Sequence, residues 1–281
     1  MLTKEQAREM KVFSKKVQME ICKMIAPLPA GHLGGALSIS DTISVLYNKH
    51  LKHDPKNPKW EERDWLVMSK GHCGPVMYAT LALKGFFPMD WLKTMNTPHT
   101  DLPSHCDRLH TPGIDMTTGS LGQGASTAAG VAYALKLDKK ENNVYVVFGD
   151  GEIQEGQVWE MAMTAASKKL DNMIAFVDYN KLQIDGFTNS CDVCCVGDIA
   201  AKFTAFGWYA QEIDGHDVYA IDEAIENAKA HKGSPSVIVL NTIKGKGWSK
   251  SENQAGSHSR GFTPDELAEA LAEMQAELDT Y

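Results

Sequence analysis

The sequence has no apolar run near the roughly 18 residues needed to cross a bilayer, which excludes a membrane-spanning helix. Its opening stretch, MLTKEQAREMKVF, mixes charges along an amphipathic pattern and lacks the apolar core of a signal peptide. It has no surplus of positive charge either: the net charge of -8 argues against a nucleic-acid scaffold. No repeat, low-complexity tract or linker divides the 281 residues, so they read as one large α/β domain. Six cysteines, at 22, 73, 106, 191, 194 and 195, form no small-domain disulfide framework, which suits a reducing cytoplasm. Cys191-Asp192-Val193-Cys194-Cys195 has no second Cys or His pair at ligand spacing, so free thiols are the better reading than zinc.

What is present is an alternation of helices and strands. Thr3, with Gln6 three positions on, forms a capping box before apolar residues at helical spacing that reach Ile25. Pro27 and Pro29 end that helix, and the loop Ala30-Gly31-His32-Leu33-Gly34-Gly35 follows. A second helix is predicted from Ser40-Asp41 to about His50. Trp65-Leu66-Val67-Met68 reads as a short buried strand, and Ser69-Lys70-Gly71-His72 leads into a helix through Lys84. Residues 98–112 read as a loop holding His99, His105 and His110. A helix rich in small residues spans 125–137, fit for close packing or a close ligand. Strand 143–148, helix 155–169 and strand 173–178 then make one βαβ unit. Helix 217–231 precedes strand 236–240, and a last helix opens at Thr263-Pro264-Asp265-Glu266 and runs to 279. The expected fold is α/β: a doubly wound, mostly parallel sheet with helices on both faces.

Ligands of such sheets bind beyond the carboxyl ends of the strands. There Gly149-Asp150-Gly151 follows the apolar run 144–148, and Asn180 lies just past the next strand. Right-handed connection keeps these two strands close, so Asp150 and Asn180 can converge. A carboxylate, an amide oxygen and a backbone carbonyl are hard ligands, suited to Mg²⁺ or Ca²⁺. Glycines beside Asp150 let a phosphate approach the backbone, and the following helix start offers free N–H groups. A metal-bridged diphosphate satisfies these features; at this level an Asp N-cap and an ordinary turn also do.

Gly149-Asp150-Gly151 through Asn180 resembles the thiamine diphosphate binding motif. Around it, the whole chain resembles the N-terminal, diphosphate-binding half of a transketolase. The matching pieces, in order, are Gly31-His32-Leu33-Gly34-Gly35, Ser69-Lys70-Gly71-His72, and Thr118-Gly119-Ser120-Leu121-Gly122-Gln123-Gly124. After them come Gln154-Glu155-Gly156, Asn180 to Gly186, and Gly256-Ser257-His258. The resemblance implies a thiamine-diphosphate-binding fold in which Asp150, Asn180 and the Leu182 carbonyl hold Mg²⁺, with Ca²⁺ or Mn²⁺ as substitutes. It implies that Gly151 meets the diphosphate and that the Gly119-Ser120-Leu121 segment packs against the cofactor's rings. His32, His72, His105 and His258 match active-site histidines that contact substrate hydroxyls or the cofactor (His72 and His258 the latter) and move protons. Neutral imidazole near pH 7 both donates and accepts, which suits that work. Glu155 would join a carboxylate cluster at a dimer interface, and Glu152 would only favour a helix N-terminus. His50, His53, His99, His110, His216 and His231 are left as surface or structural residues. The implied reaction moves a two-carbon ketol unit from a ketose to an aldose, with the cofactor taking up the electron pair of the broken bond.

Two positions depart from the family pattern: Leu33 stands where proline is usual, and Ser104-His105-Cys106 where Gly-His-Pro is common. Both are expected near the substrate funnel. A transketolase also continues into a pyrimidine-binding domain, which supplies a glutamate to the aminopyrimidine, and a C-terminal domain; neither lies in this sequence. The expectation is therefore a single thiamine diphosphate domain over 1–281, active only with a separately encoded C-terminal subunit in an α2β2 heterotetramer. Tyr281 would close the last helix as a natural terminus. The sugar could be a pentose phosphate, a branched sugar or a sulfonated one. Two other assignments remain open: the α-subunit of a 2-oxoacid dehydrogenase or decarboxylase, which lacks the histidines at 32, 72 and 105, and a non-catalytic scaffold subunit.

Overall fold

A computed structural model describes residues 1–190 and 193–281. Cys191, and with it part of the cysteine cluster, lies outside the described residues; the five described cysteines are free. Helix α1 (Lys4–Ile25) carries the capping box at Thr3, with both reciprocal bonds to Gln6 present. Two short helices follow, α2 (Gly34–Ser38) and α3 (Ser40–Val45), the latter running into a π-helical turn over Leu46–His50. Then come β1 (Trp65–Met68), α4 (Gly74–Leu83) and α5 (Gln123–Leu137). The unit expected around the glycines is β2 (Val144–Gly149), α6 (Gly156–Ser167) and β3 (Met173–Tyr179). A two-residue-stranded hairpin, β4 (Leu182–Gln183) and β5 (Gly186–Phe187), leads to α7 (Ile199–Ala205) and β6 (Tyr209–Asp214). The chain finishes with α8 (Val218–Ala230), β7 (Ser236–Asn241) and α9 (Pro264–Leu278), the last capped by Thr263 and Glu266.

The main sheet has the order β1-β2-β3-β7-β6, and every pairing is parallel. Side chains alternate cleanly between its faces, as the period of two demands. Tyr145, Val147, Ile174, Phe176, Ile238 and Leu240 face a core with α1, α3, α4, α8 and α9. Val146, Phe148, Ala175, Val177, Val237 and Val239 face a second core with α5, α6 and α7. Strands buried on both faces read as continuous apolar runs, which is why β2, β3 and β7 are legible in the sequence. Helix α7 and strand β6 are not legible in the same way. As an edge strand β6 is only half-buried, and its Gln211, Glu212 and Asp214 break any apolar run. The small residues of α5 serve close packing: a Cβ on Gly124 would come within 2.4 Å of Ser69 Oγ, at the turn after β1.

Among the described residues, His50, Asp222 and Glu226 form the one group of His, Cys, Asp and Glu at metal-ligand spacing. Two ammonium groups already occupy it. Lys49 Nζ lies 2.5 Å from Asp222 Oδ1, and Lys229 Nζ lies 3.2 Å from His50 Nδ1. Asp222 Oδ1 also meets His50 Nε2 at 2.8 Å, so the group is an ion-pair cluster joining α8 to the turn after α3. Burial, and then the Lys229 charge, push His50 down to about 4. Between that value and the ordinary 6.5, the unfolded chain binds a proton that the folded chain refuses. Stability therefore rises with pH through this window and is lost as pH falls through it, by up to about 1.4 kcal/mol per pH unit for this residue. His50→Gln should flatten the dependence of unfolding free energy on pH across this window by that amount, measured by denaturant titration. An unchanged slope would remove His50 from this role.

Candidate active site

The parallel strands all end at one edge of the sheet, and residues just past the ends of β1, β2, β3 and β7 meet there. Asp178, in the last turn of the β3 ladder, is fully buried, and Lys70, just after β1, is 1% exposed. Their charges sit 2.5 Å apart. Asp178 also accepts Ser38 Oγ from the end of α2 at 2.6 Å, Asn180 Nδ2 at 3.0 Å, and the Thr242 hydroxyl from beyond β7. Lys70 gives a further bond to the Gly35 carbonyl at 2.9 Å. Burial works against both charges, but the pairing outweighs it: Lys70 is raised and Asp178 lowered from their ordinary values. Both stay charged. Lys70 lies within the recognised Ser69-Lys70-Gly71-His72 segment, which gives it no partner. Asp178 lies in no motif, although a carboxylate inside Met-Ile-Ala-Phe-Val-Asp-Tyr is a signal that it needs a buried partner.

Asp150 follows β2 and is also buried. Its Oδ1 accepts the Gly151 N–H at 2.9 Å; its Oδ2 accepts the Lys181 N–H at 2.7 Å and Thr188 Oγ1 at 2.8 Å. Lys181 reaches this position by adopting a left-handed conformation, φ 67°. Asn180 is oriented by Asp178 through Nδ2, while its Oδ1 accepts the Leu182 N–H at 3.2 Å. The Leu182 carbonyl accepts Lys244 Nζ at 2.8 Å. So the three sequence-predicted metal ligands do line one cavity, of about 380 Å³, together with Gly151. Burial lifts Asp150 to about 6, against the pull of its hydrogen bonds. No cationic side chain forms an ion pair with it among the described residues. A desolvated carboxylate, an amide and a carbonyl, all oxygen donors, fit a hard divalent cation, which would share the Leu182 carbonyl with the Lys244 ammonium.

The four histidines singled out by the resemblance line the same cavity. Ring centroids of His32 lie 5.3 Å from His72, 5.3 Å from His105 and 5.6 Å from His258, and His72 stacks on His258 at 5.1 Å. Burial lowers all four, His258 to about 4, and the Lys244 or Lys70 charges add to this for His32, His72 and His258. The quartet is therefore neutral at pH 7. Gly119, at φ 152°, sets its backbone against His105, whose ring would lie 3.1 Å from any added Cβ. Leu121 also faces the cavity. Ser120, between them, is exposed and does not line it.

Two expectations need revision, those for Glu152 and for Leu33 with Cys106. Glu152 is no mere helix-terminus charge: it is buried and accepts Ser69 Oγ at 2.5 Å, the Gly122 N–H at 3.0 Å and the Gly149 N–H at 3.1 Å. It ties three of the recognised segments together, which flanking residues alone could not reveal. Glu155 is exposed at the cavity rim, beneath Gly122. Leu33 and Cys106 face away from the cavity: both are buried in the α1-side core, so their departures from the family pattern do not place side chains in the funnel. Lys70, Lys244 and Gln183 also line the cavity: Lys70 and Gln183 fall inside recognised segments that gave them no role, and Lys244 lies outside every motif.

Residues 14–278 match the family described as transketolase, thiamine diphosphate binding domain. The 6-deoxy-6-sulfo-D-fructose transketolase subunit SqwG of Clostridium sp. (strain MSTE9) is 52% identical over 253 residues, covering 90% of this chain and 91% of that protein. An apulose-4-phosphate transketolase subunit of Actinobacillus succinogenes is 38% identical over 270 residues, covering 96% of this chain and 97% of that one. Among solved structures, the transketolase of Campylobacter jejuni superposes with a TM-score of 0.86 at 31% identity, over 98% of this chain. The chain spans only 43% of that enzyme. By this match along nearly its whole length, the chain belongs to the transketolase family, as the N-terminal, thiamine diphosphate binding domain.

Proposed function

We propose that the chain is the N-terminal subunit of a two-chain transketolase, moving a two-carbon ketol unit from a ketose to an aldose. The observation that carries the two-chain reading is one of length. The chain covers 91% and 97% of two relatives named as transketolase subunits, but 43% of a solved transketolase. A pyrimidine-binding and a C-terminal domain would come from a second chain, in an α2β2 assembly with Glu155 at its interface. The free cysteines fit work in the cytoplasm.

Asp150 and Asn180 side chains and the Leu182 carbonyl would hold Mg²⁺, and the backbone at Gly151 would approach the diphosphate. Gly119 and Leu121 would flank the rings. When bound, thiamine diphosphate supplies an electron sink for carbon–carbon cleavage. The remaining work falls to this chain's side chains. His32, His72, His105 and His258, held neutral, can each donate from one ring nitrogen and accept at the other, placing sugar hydroxyls and relaying their protons. Within the cavity, burial keeps these rings from becoming cations at working pH, and nearby lysine charges add to this for His32, His72 and His258. For the substrate, the identity to the sulfofructose enzyme favours a ketose carrying a sulfonate or phosphate at its far end.

Transfer from 6-deoxy-6-sulfofructose and from fructose 6-phosphate to an aldose, assayed with and without a candidate C-terminal transketolase subunit, tests the reading. Turnover should require both chains, thiamine diphosphate and Mg²⁺; full activity of this chain alone would sink the two-chain account. Asp150→Ala should weaken cofactor binding by the assembled enzyme by about 100-fold or more, since even supporting residues around a metal cost about 10- to 100-fold. Retained affinity in calorimetry would remove Asp150 from the metal.

A further inference from the structure

His216 opens the turn between β6 and α8, and both of its ring nitrogens are committed. Nδ1 lies 2.8 Å from Asp41 Oδ2, and Nε2 accepts the backbone N–H of Ile243 at 2.9 Å. A backbone N–H can only donate, so Nε2 carries no proton and Nδ1 donates to Asp41. This is the reverse of the Nε2–H form that an unconstrained neutral histidine prefers. The anchor is itself fixed: Ser14 Oγ donates to Asp41 Oδ1 at 2.6 Å, and the His216 backbone N–H donates to Asp214 Oδ1 at 2.9 Å. One clamp thus joins α1, α3 and the β6–α8 turn to the residues just past β7.

Those residues feed the cavity. Ile243 lies between Thr242, whose hydroxyl donates to Asp178, and Lys244. The Lys244 ammonium, buried, donates to the Leu182 carbonyl at 2.8 Å and lies 3.1 Å from His258 Nδ1. An ammonium has three donors and no acceptor, so His258 Nδ1 must be bare and its proton must sit on Nε2.

We propose that the Asp41–His216 clamp positions Lys244 through the Ile243 backbone, and that Lys244 in turn holds His258 as an Nε2–H donor for a ligand in the cavity. Asp41, His216 and Lys244 are then positioning residues: they act on the reaction through His258. The proposal rests on the reading of the cavity as the reaction site, but its readout requires neither cofactor nor partner. A failed transketolase assay and a failed clamp are therefore separate results.

The test is long-range ¹H–¹⁵N correlation of the ring nitrogens in the full chain labelled with ¹⁵N-histidine, at mildly alkaline pH. Signals are assigned with His216→Phe and His258→Asn. In the unsubstituted chain His216 should show its proton on Nδ1 and His258 on Nε2. Lys244→Met should move the His258 Nδ1 resonance toward that of an unbonded ring nitrogen, and His216→Phe should move it too, although residue 216 does not touch His258. Asp41→Ala, a second way to open the clamp, should let His216 populate the Nε2–H form. A His216 proton on Nε2, or a His258 proton on Nδ1, in the unsubstituted chain would overturn the proposal. So would a folded His216→Phe chain whose His258 signals stay where they were while Lys244→Met moves them.

Discussion

The buried pair of Lys70 and Asp178 is the constraint from which the site is built. Two full charges lie beneath the ends of the central strands, where neither can reach water. Such a pair adds little net stability, because desolvation cancels most of the attraction, yet removing one partner leaves a charge stranded at a cost of about 3–5 kcal/mol. Its consequence is geometric. Asp178 collects Ser38, Thr242 and Asn180, so the ends of α2, β3 and β7 are fixed relative to one another and to the Lys70 turn after β1. Asn180 in particular has its amide orientation set, because only its nitrogen can meet the carboxylate.

A second consequence is electrostatic. Lys70 and Lys244 place positive charge beside a group of imidazoles that burial already keeps neutral. Asp150 sits on the opposite footing, a buried carboxylate lifted toward neutrality. The cavity therefore pairs an acidic corner, whose oxygen donors suit a cation, with a wall of neutral rings that can donate and accept hydrogen bonds. Those are different tasks, and the sheet keeps them apart: the acidic corner stands on β2 and β3, while the histidines come from the loops before α2, α4 and α5 and from the segment ahead of α9.

The parts of the molecule legible in the sequence are those whose signals are local. Thr3 and Thr263 announce their helices because a capping box is written within four residues. β2, β3 and β7 declare themselves because strands covered on both faces must be apolar throughout. Asp150, His32, His72 and His258 are legible because they lie beside glycines in recognisable turns, while Asn180 and His105 are legible only by their place in the family resemblance. Glu152, Lys70, Lys244 and His216 are not, because each acquires its role from residues far away in the chain: Ser69 and Gly122 for Glu152, Asp178 for Lys70, Leu182 for Lys244, Asp41 and Ile243 for His216. Edge strand β6 escapes a sequence reading for a related reason, since half-exposed residues carry no pattern that sets them apart from a loop.

If the Lys70–Asp178 pair is kept for geometry, stability and cofactor binding should separate when it is replaced by apolar residues. The direct measurement is the affinity for thiamine diphosphate with Mg²⁺, alongside unfolding free energy, for Asp178→Leu and for the double variant Lys70→Met/Asp178→Leu, each in the two-chain assembly proposed above. The account predicts that the double variant regains stability over the single one, since no charge is left unpaired, while its cofactor affinity stays as low, because Asn180 has lost the carboxylate that orients it. Affinity that recovers in step with stability would show that the pair serves folding alone, and would contradict the account.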